Sequence, residues 1–402
     1  MTPSEIVVNT LCKKAFLPLW TMANPVGKEP GKELCDALIV FNEKVIIISV
    51  KEIIYKETED IKTGWDRWNR AAVEKSIKQL KGAKRYLDSQ KSIRSVEHDV
   101  IFTLPDLNAR QYHFITISLG SKREIPISIP IEDDFYVHFI DDYSLDIIFR
   151  ELDTVSDFIE YLEKKEELYI SKKKMVIGSE EDILGYYLWN NRSFPENFDT
   201  MIFSDDIWVN IQERPEFKQK KKLDSVSYFW DKIVEEFVNM RDPELNSIFG
   251  SFDRSNENVE IALRILAKEC RFSRRVLSQA FFDFIQNRNI ASRVIQSYQK
   301  DVYYVFLKKP KDYDRKARQI ELLARCLIIR DKVNYDVKIV GLATEDDISV
   351  GHSFDLLYYE KNNWTDDDKK MARSAMNELN LFKTPRSSMI HTDEYPTEGA
   401  TT

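Results

Sequence analysis

Asp36, Ser49 and Lys51 stand at the outer ends of two apolar runs, LCDALIVF and KVIIISVKE. The runs are β-branched and separated by Asn42-Glu43, the pattern of a hairpin. With that dipeptide as the loop, Phe41 faces Lys44 and Asp36 faces Ser49, with Lys51 on the same face one pair further along. Opposed residues share a face and diagonal neighbours lie about 7–8 Å apart, so Asp36 and Lys51 can address a common site. Glu33 and Glu52 fall on the other face. A carboxylate and an ammonium beside Leu38, Val40, Val45 and Ile47 are costly to bury unless they pair or hold a metal. The spacing admits a structural ion pair as well as a chemical site.

Two helices must position that hairpin. Thr2-Pro3-Ser4-Glu5 reads as an N-cap with proline in the first turn, and Ile6, Val7, Leu11, Phe16 and Leu17 follow at roughly helical spacing, which puts Glu5 near the strand ends. From Thr63 to Asp88 a long helix is expected. At ~100° per residue Trp65, Trp68, Ala72, Ser76, Gln79, Ala83 and Tyr86 fall on one stripe. Gln79 is polar on a packing stripe, so a hydrogen-bonding partner is expected there, either at the hairpin or in buried backbone. Arg67, Arg70, Lys78, Lys81 and Arg85 lie on the opposite stripe, which suits either a solvated face or a phosphate track. Residues 62 to 94 hold ten Lys/Arg against three Asp/Glu.

Glu5, Asp36, Ser49-Val50-Lys51 and Gln79 occur in the order used by the PD-(D/E)XK, or restriction-endonuclease-like, nuclease superfamily. GKELCDALIVFNEKVIIISVKE resembles that family's central hairpin, and SIKQLKGAKRY resembles the helix after it. The resemblance covers about residues 1 to 100 and extends at most to 190. It implies an α/β fold, a restriction-endonuclease-like mixed sheet flanked by helices, and cation-dependent hydrolysis of phosphodiester bonds. Asp36 would hold Mg²⁺ or Mn²⁺, Glu5 would contribute directly or through water, Lys51 would orient the attacking water, and Gln79 would position water or phosphate. The family's second acid is here Ser49, which carries no charge, so cation affinity should fall or another group must compensate. DNA is the favoured partner over RNA, and restriction or anti-phage defence is a role the resemblance implies. The alternative is a degenerate nuclease fold that binds nucleic acid or a partner protein.

Elsewhere the chemistry is sparse. Cys12, Cys35, Cys270 and Cys326 follow no metal or disulfide spacing. His98, His113, His138, His352 and His391 are scattered, and residues 27–33 miss the spacing of a phosphate loop. Glu345, Asp346 and Asp347 follow a strand and read as a solvated acidic loop. No run reaches the ~18 apolar residues of a membrane span, and the reduced cysteines suit the cytoplasm. The net charge of −8 in 402 residues excludes a bulk polycation, so any nucleic-acid surface must be local. Residues 1 to 100 hold 17 Lys/Arg and 14 Asp/Glu, so the acidity belongs to the rest of the chain. The expected organisation is a nuclease-like domain over 1–200, a helical region over 201–300, a small α/β unit over 301–382 and a disordered tail over 383–402. The two later regions are where a protein partner or a second copy would dock.

Overall fold

The apolar runs pair as their spacing dictates. Strand β2 (Ala37–Phe41) and strand β3 (Lys44–Glu52) are antiparallel, with Phe41 opposite Lys44 and Ala37 opposite Ile48. Asn42 takes φ 53° in the loop, a left-handed conformation that asparagine tolerates. The computed structural model describes residues 1–27, 33–94, 101–123, 135–171, 173–239, 256–333, 335–347, 353–381 and 392–396. Residues 125–131, whose run IPISIPI reads as a strand, residues 28–32 of the glycine- and lysine-containing stretch, and His98, His352 and His391 lie outside them. The chain divides into two units, Met1–Arg214 and Pro215–Thr402.

The first unit is a mixed five-stranded sheet flanked by helices. Strand β1 (Thr21–Ala23) pairs antiparallel with β2; β6 (Gln111–Leu119) joins β3 in parallel, and β7 (Val137–Ile140) joins β6 in parallel. Two short pairs flank it: β4 (Ser92–Arg94) with β5 (Ile101–Thr103), and β8 (Met175–Ile177) with β9 (Thr200–Ile202). Helix α1 (Pro3–Phe16) packs on β1, β2 and β3. Thr2 caps it, and Glu5 returns the bond to the Thr2 N–H in a capping box. Its inward face differs from the expected one. Ile6 and Val7 are exposed, and Val8, Asn9, Cys12, Ala15 and Phe16 are buried, because the 8-12-15-16 spacing, not the apolar pair at its start, sets the helix phase.

The helix after the hairpin is not one regular helix. Helix α2 (Ile61–Asn69) and helix α3 (Lys75–Asp88) are joined by a π turn at Arg70–Glu74. The five-residue step from Trp68 to Val73 keeps both buried, and the core line then continues through Leu80, Ala83 and Leu87. These three pack with Leu38, Val40, Val45, Ile47 and Phe114 in the main core; each Leu, Ile, Val or Phe among them contributes about 1.5–3 kcal/mol on burial. The π turn is fastened by hydroxyls: the Ala72 carbonyl accepts from Ser76 Oγ at 2.8 Å and from Ser118 Oγ at 3.4 Å.

On the other face of the sheet, helix α4 (Ser144–Glu151) is followed by α5 (Val155–Glu166), and α6 (Glu180–Trp189) starts from the expected Ser179 cap. Helix α7 (Ile207–Gln212) packs on α6. Two of the scattered histidines meet here. His113 Nδ1 and His138 Nε2 lie 2.9 and 3.0 Å from one oxygen of Glu166, with both rings buried.

The second unit begins with α8 (Pro215–Asp224), α9 (Tyr228–Asn239), α10 (Asn256–Ala267) and α11 (Arg271–Gln286). A four-stranded sheet follows in the order β10 (Ser292–Gln296), β11 (Val302–Lys309), β12 (Lys338–Glu345), β13 (Asp355–Glu360). Helix α12 (Arg315–Val333) crosses between the parallel β11 and β12, and α13 (Asp366–Glu378) closes the unit. Strand β10 falls inside the stretch read as helical. Glu345 is not a solvated loop residue: it ends β12, is buried, and accepts from Arg318 Nη1 at 2.9 Å and from the Ser353 N–H at 2.6 Å. Nor is all of the tail disordered. Residues 392–396 dock on their own unit, with Arg275 Nη2 donating to the Asp393 carbonyl at 2.7 Å and Tyr395 stacked near Phe217; residues 382–391 and 397–402 lie outside the described residues. Among the described residues no helix is long and apolar enough to cross a membrane.

The histidine pair makes the first unit acid-sensitive. Burial pushes His138 down to about 4 from its ordinary 6.5, despite Glu166 beside it. Burial raises Glu166, but the bonds from His113 and His138 outweigh it and bring the carboxyl down to about 2. The unfolded chain therefore binds the His138 proton first, and stability falls as pH drops from 6.5 towards 4. Urea unfolding followed across this window should lose on the order of 3 kcal/mol, and His138→Gln should flatten most of that slope.

Candidate functional site

The site begins where the β2–β3 ladder runs out. The Asp36 N–H still donates to the Ile48 carbonyl at 3.0 Å, but the next donor, the Val50 N–H, is met by Asp36 Oδ2 at 2.6 Å. A side chain thus takes the place of a ladder carbonyl, which fixes the carboxylate between the strands. Oδ1 has no partner among the described residues. Asp36 is 3% exposed. Burial raises its pKa above the ordinary 3.8; Lys51 and the Val50 N–H oppose this, and the carboxylates of Glu5 and Glu33 push it up further.

Lys51 is the next charge on this face. Its Nζ lies 3.5 Å from Asp36 Oδ2 and donates to Gln79 Oε1 and the Val50 carbonyl, each at 3.0 Å. Gln79 Oε1 also accepts from Ser49 Oγ at 2.8 Å. Receiving two donors, this atom must be the oxygen, which leaves Nε2 without a partner among the described residues. Ser49 is fully buried, with Oγ 3.2 Å from Ser76 Oγ. The structure therefore brings Asp36, Ser49, Lys51 and Gln79 together at the carboxyl end of β3, the edge of a parallel arrangement where ligands commonly bind.

Glu5 comes only part of the way. Its Oε2 accepts from the Thr2 N–H at 2.9 Å in the capping box, although its charge is felt at Asp36. Glu33 and Glu52 do not fill the place left by Ser49. Glu33 accepts from Asn24 Nδ2 at 2.8 Å, and Glu52 accepts from Ser4 Oγ on the α1 side of the sheet. Sequence reading missed Asn9, one turn after Glu5 on α1. Its Nδ2 donates to the Glu5 carbonyl at 3.0 Å and to the Asp36 carbonyl at 3.4 Å, and its Oδ1 is buried with no partner. A polar residue at i+4 from a candidate acid was the available signal.

Among the described residues no three His, Cys, Asp or Glu side chains converge as a metal-binding group. The donor set still fits a hard cation that keeps most of its waters. The Asp36 contacts to Val50 and Lys51 run through Oδ2, and the Asp36 charge is disfavoured by burial and by two further carboxylates, a penalty a cation relieves.

The basic residues are placed as expected, with one exception. Arg67, Arg70, Lys78 and Arg85 are exposed, whereas Lys81 is half-buried with Nζ 5.1 Å from the centre of the Phe135 ring. With this geometry, the first unit is a mixed α/β sheet flanked by helices that carries an Asp–Lys–Gln constellation at one edge. No protein-family model matches the chain, and neither does a curated protein or a solved structure.

A carboxyl whose folded pKa is raised favours the folded chain below 3.8 and loses that contribution as pH rises through the raised value, so at pH 7 its charge costs stability. Asp36→Asn, which keeps an acceptor for the Val50 N–H, should unfold at a urea midpoint no lower than the parent's at pH 7. Asp36→Ala leaves that N–H unmet and should lose about 1–3 kcal/mol.

Proposed function

We propose that the first unit is a divalent-cation-dependent nuclease of the restriction-endonuclease-like kind, hydrolysing phosphodiester bonds with DNA as the favoured substrate. The observation that carries this reading is the Lys51 ammonium, held at once by Gln79 Oε1 and beside Asp36 Oδ2 at the carboxyl edge of the sheet. The order α1, β1, β2, β3, then α2 and α3, with β6 pairing parallel to β3 after the short β4–β5 hairpin, supports it. Asp36 and Glu5 would hold Mg²⁺ or Mn²⁺. When bound, such a cation polarises a phosphoryl oxygen and lowers the pKa of its water. Lys51 donates towards charge developing on the phosphate, and its ammonium is kept there by Gln79. Ser49 performs no chemistry in this scheme and fixes the Gln79 amide.

A second reading is a nuclease fold that binds nucleic acid without cutting it. It is favoured by Ser49, a buried hydroxyl where the family resemblance calls for an acid.

Incubation of the full chain with linear DNA, supercoiled DNA and RNA, each with Mg²⁺ or Mn²⁺, separates the two. Cation-dependent cleavage is expected, and Lys51→Ala and Asp36→Ala should each lower it by at least 100-fold, about 2.7 kcal/mol. Binding without cleavage of any substrate supports the second reading, and equal cleavage by the variants removes these residues from the site. The exposed Arg67, Arg70, Lys78 and Arg85 would track phosphates. Reversing Arg70, Lys78 and Arg85 to Glu should weaken nucleic-acid binding and lower the slope of log affinity against log salt by about 1 for each phosphate no longer neutralised.

A further inference from the structure

Residues 392–396, Thr-Asp-Glu-Tyr-Pro, form neither helix nor strand, yet they lie against helices α8 and α11 of their own unit. Arg275 of α11 grips their backbone. Its Nη2 donates to the Asp393 carbonyl at 2.7 Å and to the Glu394 carbonyl at 3.4 Å, and its Nη1 donates to the Glu394 carbonyl at 3.3 Å. Lys220 of α8 meets the side chains, with Nζ 3.6 Å from Glu394 Oε1 and 5.7 Å from the centre of the Tyr395 ring. That ring stacks near Phe217, with centres 6.5 Å apart. The next residue, Pro396, has no N–H to satisfy and is buried.

The two helices carry an excess of positive charge at this place. Arg275 and Lys220 are 5% and 6% exposed, and both pair with one carboxylate, Asp224, at 3.2 and 2.5 Å. Two cations on one anion leave a positive charge over, and a buried cation is costly unless it is paired. Glu394 brings these four charges to balance. The Asp393 carbonyl takes Nη2 of Arg275, whereas the bond to Asp224 runs through Nη1. Arginine and tyrosine anchors of this kind dominate the energetics of interfaces. A segment held by main-chain carbonyls, a carboxylate and a ring, outside any helix or strand, is bound as an acidic peptide is bound by basic side chains.

We propose that α8 and α11 form a recognition site for an acidic segment of the Asp-Glu-Tyr-Pro kind on a partner protein, and that residues 392–396 are its resident competitor. The tail holds the site because its binding is intramolecular, so an untethered segment of equal chemistry competes poorly. The tail thereby sets the threshold that a partner must exceed. The site belongs to the second unit and does not depend on the chemistry at Asp36.

The probe is the peptide Thr-Asp-Glu-Tyr-Pro, capped by a fluorophore at its amino end and an amide at its carboxyl end, titrated with the full chain and read by anisotropy. The parent should bind it weakly. A full chain carrying Glu394→Lys and Tyr395→Ala, which loosen the tail and leave both helices unchanged, should bind it on the order of tenfold tighter or more. In that background Arg275→Lys, which keeps the charge but loses the fork, should weaken binding about tenfold. Peptides with lysine for the glutamate, or alanine for the tyrosine, should bind about tenfold more weakly, and they test the site without altering the protein. If the doubly substituted chain departs from the parent in far-UV circular dichroism, Glu394→Lys alone decides in its place. Equal binding of the probe by parent and tail variant, binding by neither, or substituted peptides or an Arg275→Lys chain that bind as well overturns the proposal. The parent should sediment as a monomer; a dimer that the tail substitutions dissolve would make a second copy's tail the occupant and overturn the role of resident competitor.

Discussion

The hydrogen bond from the Val50 N–H to the Asp36 carboxylate is the interaction on which the site depends. A strand end has backbone donors that must be met. Meeting one of them with a side chain rather than a carbonyl ties the charge to the ladder itself. The position of the carboxylate then follows from the register of the hairpin, which is set by a two-residue loop and by the apolar pairs below it. Lys51 inherits its place from the same register, and Gln79 from the packing of α3 on that face. The buried charge is held by covalent geometry and ladder bonds, which leaves Oδ1 available.

This arrangement explains how Ser49 can stand beside the charge without disrupting the fold. A carboxylate at that position would lie fully buried beside Ser76 and the half-buried Gln79, next to an Asp36 already disfavoured by two other carboxylates. The hydroxyl is small, meets Gln79 Oε1, and adds no charge. The structure places the uncharged residue in the core layer.

The hairpin register was legible because alternation and a two-residue loop allow only one pairing that buries both apolar faces. Gln79 was legible as a polar residue on a packing stripe. Asn9 was not, because Ile6 and Val7 draw the eye to the wrong face of α1, and only the packed sheet shows that face to be exposed. The π turn was hidden for a related reason: Trp65, Trp68, Ala72 and Ser76 satisfy a plain 100° stripe as well as a bulged one. Strand β10 has only Val294 and Ile295 as apolar residues and lies at a sheet edge, so pairing rather than side-chain pattern defines it. The burial of Glu345 depends on Arg318, 27 positions away in sequence, a pairing that no local pattern encodes.

The π turn at Arg70–Glu74 divides one helix into two reading frames. The first frame anchors the segment after Lys51, with Trp68 Nε1 donating to the Ile53 carbonyl at 2.5 Å. The second carries Gln79, whose Oε1 accepts from that lysine's Nζ at 3.0 Å. One extra residue in the joint lets each half follow its own packing, so the helix acts as a caliper whose two jaws close on a single strand end. A fold built this way can retune the grip on Lys51 by adjusting one turn, while the sheet that holds Asp36 stays as it is.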